Sequence, residues 1–373
     1  MKKIKAKSNS RLVSLDIFRG LTVAFMIIVN TPGSWDYVYP SLRHAKWNGC
    51  TPTDLVFPFF LFIVGISTWY SLKKYEHEIS WGSVFRILRR TATIFAVGLF
   101  LAIFPYFGRD YSTLRIMGVL QRIAIAYGIG AIICLIINTD YLWIVVAFLL
   151  LLYWALLSFF GGADPFGLET NFAQKVDIAI LGKNHLYKGF GIPFDPEGLL
   201  STIPAIATVI IGYFTGGLIS KNSASGKTVF KLVLFGVSAV GLGLLWNLLF
   251  PINKPLWTSS YVLYTAGLAM GVLAIIYLIA DVWKIQRWGV FFMVFGMNAL
   301  FAYFLAGIWT RLMLIIKIQS GTGKITLYTW LYEKICIPIA GNMNGSLMFA
   351  LIQMLLIWGL ALILYRKKIM IRL

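Results

Sequence analysis

The sequence predicts an all-α polytopic membrane protein of about ten transmembrane helices in one bundle. Three observations predict this class. Hydrophobic residues make up 59% of the 373 residues, charged residues make up only 13%, and apolar runs near membrane-span length recur along the whole chain. About 20 apolar residues in a helix cross the hydrocarbon core of a bilayer, so each run is a candidate span.

The candidate spans follow one another through short connections, except at two places. They centre on residues 14–30, 54–72, 86–106, 115–137, 141–160, 200–219, 229–250, 258–280, 289–313 and 346–365. The segments 161–199 and 314–344 are longer than simple turns, and long ordered loops above a rigid bundle often carry functional residues. We expect a single domain over 1–373. A division of this domain into two halves, 1–160 and 200–373, joined by the 161–199 loop, is possible.

Lysine and arginine cluster at alternate ends of the spans, and they are more numerous on the side that holds both termini. The richer side faces the cytoplasm, so both termini are expected there and the two longer loops outside. This placement accounts for the net charge of +19 without nucleic acid, because no basic stripe interleaves with exposed aromatic residues. The three cysteines form neither a disulfide framework nor a paired metal motif, and no metal site is predicted.

Ionisable side chains inside the spans are the first candidates for function, since each costs roughly 2.5–3.5 kcal/mol unless it faces a cavity or a partner. Asp16 and Arg19 lie three residues apart and either pair with each other or serve a cofactor. Arg122 needs an anion or carbonyl groups, either in a site or between helices. The remaining polar candidates in or beside spans are Asn30, Asp54, Gln121, Asn247, Asn253, Lys254 and Asn298, and Asn298 is as compatible with interhelical hydrogen bonding as with a site.

The stretch HAKWNGCTPTDLVFP, residues 44–58, places one of only three histidines at the expected outer mouth of the second span. Imidazole suits proton transfer near neutral pH, and Trp47 and Asn48 add a stacking face and an amide. Asp54 either caps the helix that follows or orients a nearby base. Taken alone, His44 is more simply interpreted as an ordinary loop residue. The sequence has no Walker, HExxH, GxSxG or dinucleotide motif in a fitting context.

A series of blocks in a fixed order carries a resemblance to a known family. The blocks are RLVSLDIFRGLTVAFMIIVN, LRHAKWNGCTPTDLVFPFFLFIVG, RIMGVLQRIAIAY, PFDPEGLLSTIPAI, NKPLWTSSYVLYTAG and FGMNALFAYF. Together they resemble the heparan-α-glucosaminide N-acetyltransferase family and its bacterial relatives, a branch of the transmembrane acyltransferases. The resemblance runs from about residue 11 to about residue 305.

The resemblance implies an acetyl-CoA-dependent N-acetyltransferase in a bacterial inner membrane. Coenzyme A would dock from the cytosol, and the acetyl group would pass to an amino sugar or glycan on the periplasmic side. The family's catalytic histidine corresponds to His44 and its partner asparagine to Asn30. Members of the family are described as dimers, so a homodimer is an expectation as well.

The chemistry of that reaction assigns roles to the other candidates. Asp54 would hold the second nitrogen of the imidazole. Basic or polar side chains expected to hold the cofactor are Arg19, Arg86, Arg90, Gln121 and Arg122. Side chains expected to bind the acceptor are Trp47, Asn48, Asp195, Glu197, Asn253, Lys254, Trp257 and Asn298.

Two other functions fit the composition. A transporter for a sugar or amino sugar would also have many spans, buried polar groups and aromatic loops, although transporters usually show paired broken helices in related halves and the sequence reveals no such pairing. A non-catalytic membrane component of a glycan-handling complex is the third possibility.

Overall fold

A computed structural model describes residues 12–105, 111–320 and 323–371. These ranges are mostly helical, with one antiparallel hairpin of strands β1, Lys317–Ser320, and β2, Gly323–Thr326. The helices are α1 Val13–Asn30, α2 Val56–Leu72, α3 Trp81–Ile103, α4 Val119–Ile136, α5 Leu142–Phe160, α6 Phe172–Leu181, α7 Thr202–Lys221, α8 Gly226–Trp246, α9 Ser259–Tyr277, α10 Val290–Met297, α11 Ala299–Ile315, α12 Leu327–Leu331 and α13 Ile337–Arg366.

The helices confirm an all-α polytopic membrane fold. Within the described ranges, eight helical segments are long and apolar enough to cross a membrane, and α10 with α11 makes a ninth if that bent pair is one span. Helix α3 is as long as the others but carries three arginines within its first ten residues. All ten segments predicted from hydropathy are helical, and the number ten is reached when α3 is included.

Small residues set how closely the helices approach. A Cβ atom on Gly65 of α2 would lie 2.0 Å from the carbonyl oxygen of Val209 in α7, and one on Gly212 would lie 2.1 Å from that of Phe62. Lipid gives helices no hydrophobic reason to associate, so close backbone packing of this kind holds them together. Because α2 and α7 come from opposite sides of the 161–199 segment, both sides share one core, while the proposed division into halves stays a prediction.

The ninth span is broken rather than straight. Helices α10 and α11 meet at Asn298 with a bend of 69°. The buried side chain of Asn298 donates from Nδ2 to the carbonyl of Ile369 at 3.1 Å and accepts at Oδ1 from the N–H of Ile371 at 2.8 Å. The predicted span 289–313 gave no sign of this break, because the apolar pattern continues through it.

The two longer segments are ordered, as expected of loops above a bundle. The 161–199 segment contains α6, and the 314–344 segment contains the hairpin, α12 and the start of α13. Both lie near the end of the bundle where α1 ends at Asn30 and α2 begins at Val56, which we call the His44 end. Tyr328 of α12, for example, donates to the carbonyl of Pro32 at 2.5 Å.

Candidate active site

A cavity of about 640 Å³ opens among α1, α2, α3, α4 and α11. Its apolar wall includes Phe57, Phe60, Leu101 and Leu300. Polar side chains reach it mainly from loops and helix ends: Asn30, His44, Arg115, Gln121, Tyr187, Glu197, Lys254, Tyr303 and Arg311. The cavity therefore gathers residues that are distant in sequence around one space near the His44 end.

His44 forms a dyad with Asp54 on the wall of this cavity. The Nδ1 atom of His44 lies 2.6 Å from Oδ1 of Asp54. The other carboxylate oxygen, Oδ2, accepts from the N–H of Ala45 at 3.1 Å and from the N–H and hydroxyl of Thr51 at 2.9 and 3.0 Å. Asp54 therefore fulfils both sequence interpretations, since one oxygen caps the turn before α2 and the other holds the imidazole.

These contacts define which nitrogen of His44 can react. A buried carboxylate bonded to Nδ1 favours the tautomer whose proton is on Nδ1. The lone pair on Nε2 is then available. Since His44 lines the cavity, an unprotonated ring could accept a proton there.

Lys254 is the third member of this group. Its ammonium nitrogen lies 3.0 Å from Nδ1 and 3.3 Å from Nε2 of His44, and 3.6 Å from Oδ1 of Asp54. Burial lowers the pKa of Lys254, while the charges of Asp54 and Glu197 oppose that shift. The sequence predicted an acceptor-binding role for Lys254, and the structure places it directly beside the dyad.

Asn30 ends α1 and lines the same cavity as His44. Within the described ranges its side chain is exposed and makes no hydrogen bond, so its amide can donate into the cavity. The two residues expected from the sequence to act together are thus brought to one space.

A tie between two loops fixes the position of Lys254. Asn253 donates from Nδ2 to Oδ1 of Asn48 at 3.1 Å, and the N–H of Gly49 donates to the carbonyl of Ile252 at 2.7 Å. These bonds join the HAKWNG segment to the connection between α8 and α9. Asn48 and Asn253 do not line the cavity, so in this structure they act on the site through position.

Trp47 also lies away from the cavity. Its indole N–H donates to the carbonyl of Phe166 at 2.9 Å, and its ring packs edge-on against Phe190 and Phe194. The ring anchors the HAKWNG segment to the 161–199 segment. Stacking of Trp47 on a sugar ring remains a prediction.

Arg115 and the two predicted carboxylates form an ion cluster. Arg115 binds Asp195 in a bidentate manner, with distances of 2.9 and 2.7 Å, and also pairs with Glu197. Burial alone would lower the pKa of Arg115, but the hydrogen bond to Asp195 and the charge of Glu197 raise it above its ordinary value. Both carboxylates therefore already have a cation, the guanidinium of Arg115. Glu197 lines the cavity, and Asp195 lies behind it.

The sequence analysis did not select Arg115, Tyr303 or Arg311. Arg115 begins the block RIMGVLQRIAIAY but resembled an ordinary cation at a span end. Tyr303 and Arg311 share one face of α11 with Leu300, Gly307 and Thr310, a spacing of three or four residues that places side chains on one side of a helix. That periodicity was the available signal.

Arg122 ties helices together in this structure. It is fully buried, donates to the carbonyl of Gly198 at 3.1 Å, bonds the hydroxyl of Ser201 and lies 5.1 Å from the ring centre of Trp257. Neither Arg122 nor Trp257 lines the cavity. Gln121, the adjacent residue, does line it.

The remaining predicted cofactor residues lie at the other end of the bundle. Arg19 bonds Asp16 at 3.2 Å, the carbonyl of Gly296 at 3.2 Å and the hydroxyl of Ser67 at 2.7 Å. Arg86 and Arg90 lie in the first half of α3, while its last residues line the cavity. These three arginines do not line the cavity.

Comparison with known proteins relates this site to a family. The model of the catalytic region named heparan-alpha-glucosaminide N-acetyltransferase matches residues 11–243. The chain is 29% identical to heparan-alpha-glucosaminide N-acetyltransferase of Homo sapiens, across 79% of this chain and 52% of that protein. The protein of the same name from Mus musculus is 28% identical, across 80% and 54%. The chain thus spans about half the length of these curated relatives.

Proposed function

The chain belongs to the heparan-α-glucosaminide N-acetyltransferase family, and from this premise we propose that it transfers the acetyl group of acetyl-CoA to an amino sugar or glycan. One observation carries the proposal. A His44–Asp54 dyad and the amide of Asn30 face one cavity, and a base with a donor beside it is what acyl transfer to an amine needs.

The cavity has a form that suits an acetyl donor. Its apolar wall, with Phe57, Phe60 and Leu300, fits the thin uncharged arm of acetyl-CoA that carries the acetyl thioester. Gln121, on the same wall, is the polar side chain proposed to bind that arm. The phosphates of coenzyme A are too highly charged to enter the hydrocarbon, so Arg19, Arg86 and Arg90 remain the candidates to hold them at the opposite end. Acetyl-CoA supplies the thioester carbonyl that the acceptor attacks.

His44 acts as the general base in this proposal. The amine of the acceptor would lose a proton to Nε2 as its nitrogen bonds to the carbonyl carbon, while Asp54 holds the Nδ1 proton and stabilises the imidazolium that forms. The carbon–sulfur bond would then break, and coenzyme A would leave as the thiol with the proton that His44 returns. Direct transfer between the two substrates requires no separately stabilised acetyl-histidine. We therefore favour it over a carrier role for His44.

Asn30 serves the charge that develops on the carbonyl oxygen. Its amide N–H can donate to an oxyanion in the cavity, and one donor of this kind is worth about 2.7–4 kcal/mol of transition-state stabilisation. Glu197 is then the charged acceptor-side group that faces the cavity, and Lys254 lies beside the dyad. Trp47, Asn48, Asp195, Asn253 and Trp257 would support that side from behind, and Asn298 would act only from the far end.

The same proposal includes a location and an orientation. The excess of Lys and Arg beside the ends that carry the termini favours a cytoplasmic position for both termini in a bacterial inner membrane. The His44 end then faces the periplasm, where glycan acceptors lie. A homodimer is the assembly proposed for the family.

Purified protein in lipid nanodiscs, supplied with radiolabelled acetyl-CoA and glucosamine, tests the function directly. We expect labelled N-acetylglucosamine from the unaltered protein and a loss of 10² to 10⁴-fold in His44→Gln, the range that a general base contributes. His185→Gln is the matched control, because this histidine is near the same end but does not line the cavity. Its activity should stay close to that of the unaltered protein.

The competing function is a sugar transporter. The break at Asn298 is a feature that transporters share, but the described ranges contain one such bent pair and not a pair in each of two related halves. Proteoliposomes loaded with unlabelled buffer separate the two functions. Uptake of labelled glucosamine without acetyl transfer would contradict the acetyltransferase proposal.

A further inference from the structure

Lys254 is close to both nitrogens of the His44 ring. The distances are 3.0 Å to Nδ1 and 3.3 Å to Nε2. The two ring nitrogens flank a single carbon, and their lone pairs or protons point away from each other in the plane of the ring. A group this near to both nitrogens therefore lies against the ring and not along the axis of either one. Asp54 is bonded to Nδ1, and His44 lines the cavity.

Lys254 is held in this place by its own loop. Next to it, Asn253 donates to Asn48 and also accepts from the N–H of Leu256 at 2.8 Å. On the opposite side of the dyad, the hydroxyl of Tyr261 donates to the backbone carbonyl of Asp54 at 2.5 Å. The ammonium group is mostly buried, with 18% of the side chain exposed. The loop therefore holds the backbone of Lys254 beside the dyad, and the ammonium group contacts both His44 and Asp54.

Among His44, Asp54 and Lys254, the charges balance only when the imidazole is neutral. The Asp54 carboxylate and the Lys254 ammonium cancel, and a proton on His44 adds one positive charge to the three. Asp54 favours the imidazolium and Lys254 opposes it, because an opposite charge favours the charged form of a group and a like charge disfavours it. Other titratable groups around this space are Cys50, Arg115, Tyr187, Asp195, Glu197, Tyr261, Tyr303 and Arg311, and Arg115 is paired with both Asp195 and Glu197.

We propose that Lys254 is a positioning residue that keeps His44 unprotonated at neutral pH, so that the dyad is ready to accept a proton from the acceptor amine. This inference rests on the proposed function, in which His44 is the base. It replaces the acceptor-binding role expected for Lys254 from the sequence. It also explains why a dyad with a buried carboxylate, which by itself stabilises the imidazolium, can work as a base.

The protonation of His44 can be measured without any acetyl transfer. Diethyl pyrocarbonate reacts with neutral imidazole, and mass spectrometry of the His44 peptide gives the modification rate at each pH. In Lys254→Met the midpoint of this rate should move up by about one pH unit, the low end of the effect of a neighbouring charge. In Lys254→Arg, which keeps the positive charge, the midpoint should remain where it is in the unaltered protein.

The pH profile of kcat/KM for acetyl transfer provides the second readout. Loss of the Lys254 charge should move its acidic limb to higher pH, so Lys254→Met should lose severalfold at pH 7, approach a tenfold loss at lower pH and recover at higher pH. A residue that only supports the loop would lower the plateau and leave the midpoint unchanged. An unmoved midpoint in both measurements would overturn the inference.

The two readouts separate failure of this inference from failure of the proposed function. Absence of transfer in the unaltered protein, with a shifted modification midpoint in Lys254→Met, would leave the charge effect standing and remove the acetyltransferase. Normal acetyl transfer by the unaltered protein, with an unmoved modification midpoint in Lys254→Met, would support the acetyltransferase and overturn the charge effect of Lys254. If Lys254→Met does not fold, Lys254→Gln provides a neutral side chain with hydrogen-bonding capacity, and the same midpoint decides.

Discussion

The two ends of the bundle hold polar side chains in opposite ways. At the end opposite His44, Arg19 is bonded to Asp16, to a hydroxyl and to a carbonyl, and Asn298 uses both its donor and its acceptor on the chain terminus. At the His44 end, His44 and Asn30 line an open cavity, and the side chain of Asn30 makes no hydrogen bond within the described ranges. A polar residue in a membrane span is therefore informative about chemistry when part of its hydrogen-bonding capacity is left open.

Asn30→Ala gives the largest effect expected from this comparison. Removing one donor to a developing oxyanion should reduce kcat by about 10²- to 10³-fold. The melting temperature should change little, because the amide of Asn30 makes no hydrogen bond within the described part of the chain. Steady-state kinetics with a thermal melt on the same preparation check both statements, and a large loss of stability with unchanged kcat would contradict the comparison.

Asn298→Ala should show the reverse pattern. It leaves the carbonyl of Ile369 and the N–H of Ile371 without their partner, and each buried group left unsatisfied costs about 1–3 kcal/mol. We expect a clear drop in melting temperature. Asn138→Ala, which removes an exposed helix cap, is the matched control and should lower it less. Equal melting temperatures for the two variants would show that the contact with the chain terminus contributes nothing.

Asp177 provides the smallest effect, a dependence of stability on pH at the His44 end. Burial raises the pKa of Asp177 to about 6, although the N–H groups of Leu199 and Leu200 partly oppose the shift. The folded state therefore binds this proton more tightly than the unfolded state, whose carboxyl has its ordinary pKa of 3.8. The stability that the protonated form contributes is complete below the unfolded value and is lost as the pH rises to about 6.

Thermal melts between pH 4 and pH 7 measure this effect. The melting temperature of the unaltered protein, relative to that of Asp177→Asn, should fall as the pH rises through this window. The corresponding loss of unfolding free energy is at most about 3 kcal/mol. Asp36→Asn is the control, because Asp36 is exposed and its substitution should leave the slope unchanged. A difference that grows with pH would mean that Asp177 is ionised with a favourable partner.

The fold and the central dyad could be predicted because they depend on local patterns. Spans follow from the length of apolar runs, the roles of His44 and Asn30 came from the resemblance to a known family, and Asp54 follows His44 by only ten residues. The position of Lys254 could not be predicted, since it is 210 residues from His44 and reaches the ring only through the tie between Asn253 and Asn48. Contacts of that kind depend on how two loops meet.

Other residues show why a residue type alone misleads. Arg122 and Arg115 belong to the same block, but Arg122 bonds a carbonyl and a hydroxyl between helices whereas Arg115 lines the cavity. Asn298 was as compatible with interhelical hydrogen bonding as with a site, and the structure places it at a helix break, bonded to the backbone of Ile369. The apolar pattern records which positions face lipid or protein, and it does not record where a helix bends.

The anchoring of the chain terminus on Asn298 has a practical consequence. Ile369 and Ile371 are bound to the point where α10 and α11 meet. A purification tag, a fluorescent protein or a surface linker attached there would pull on the bend itself. Engineered forms are better extended elsewhere, and the effect of a carboxyl-terminal fusion on melting temperature would report how firmly this anchor is held.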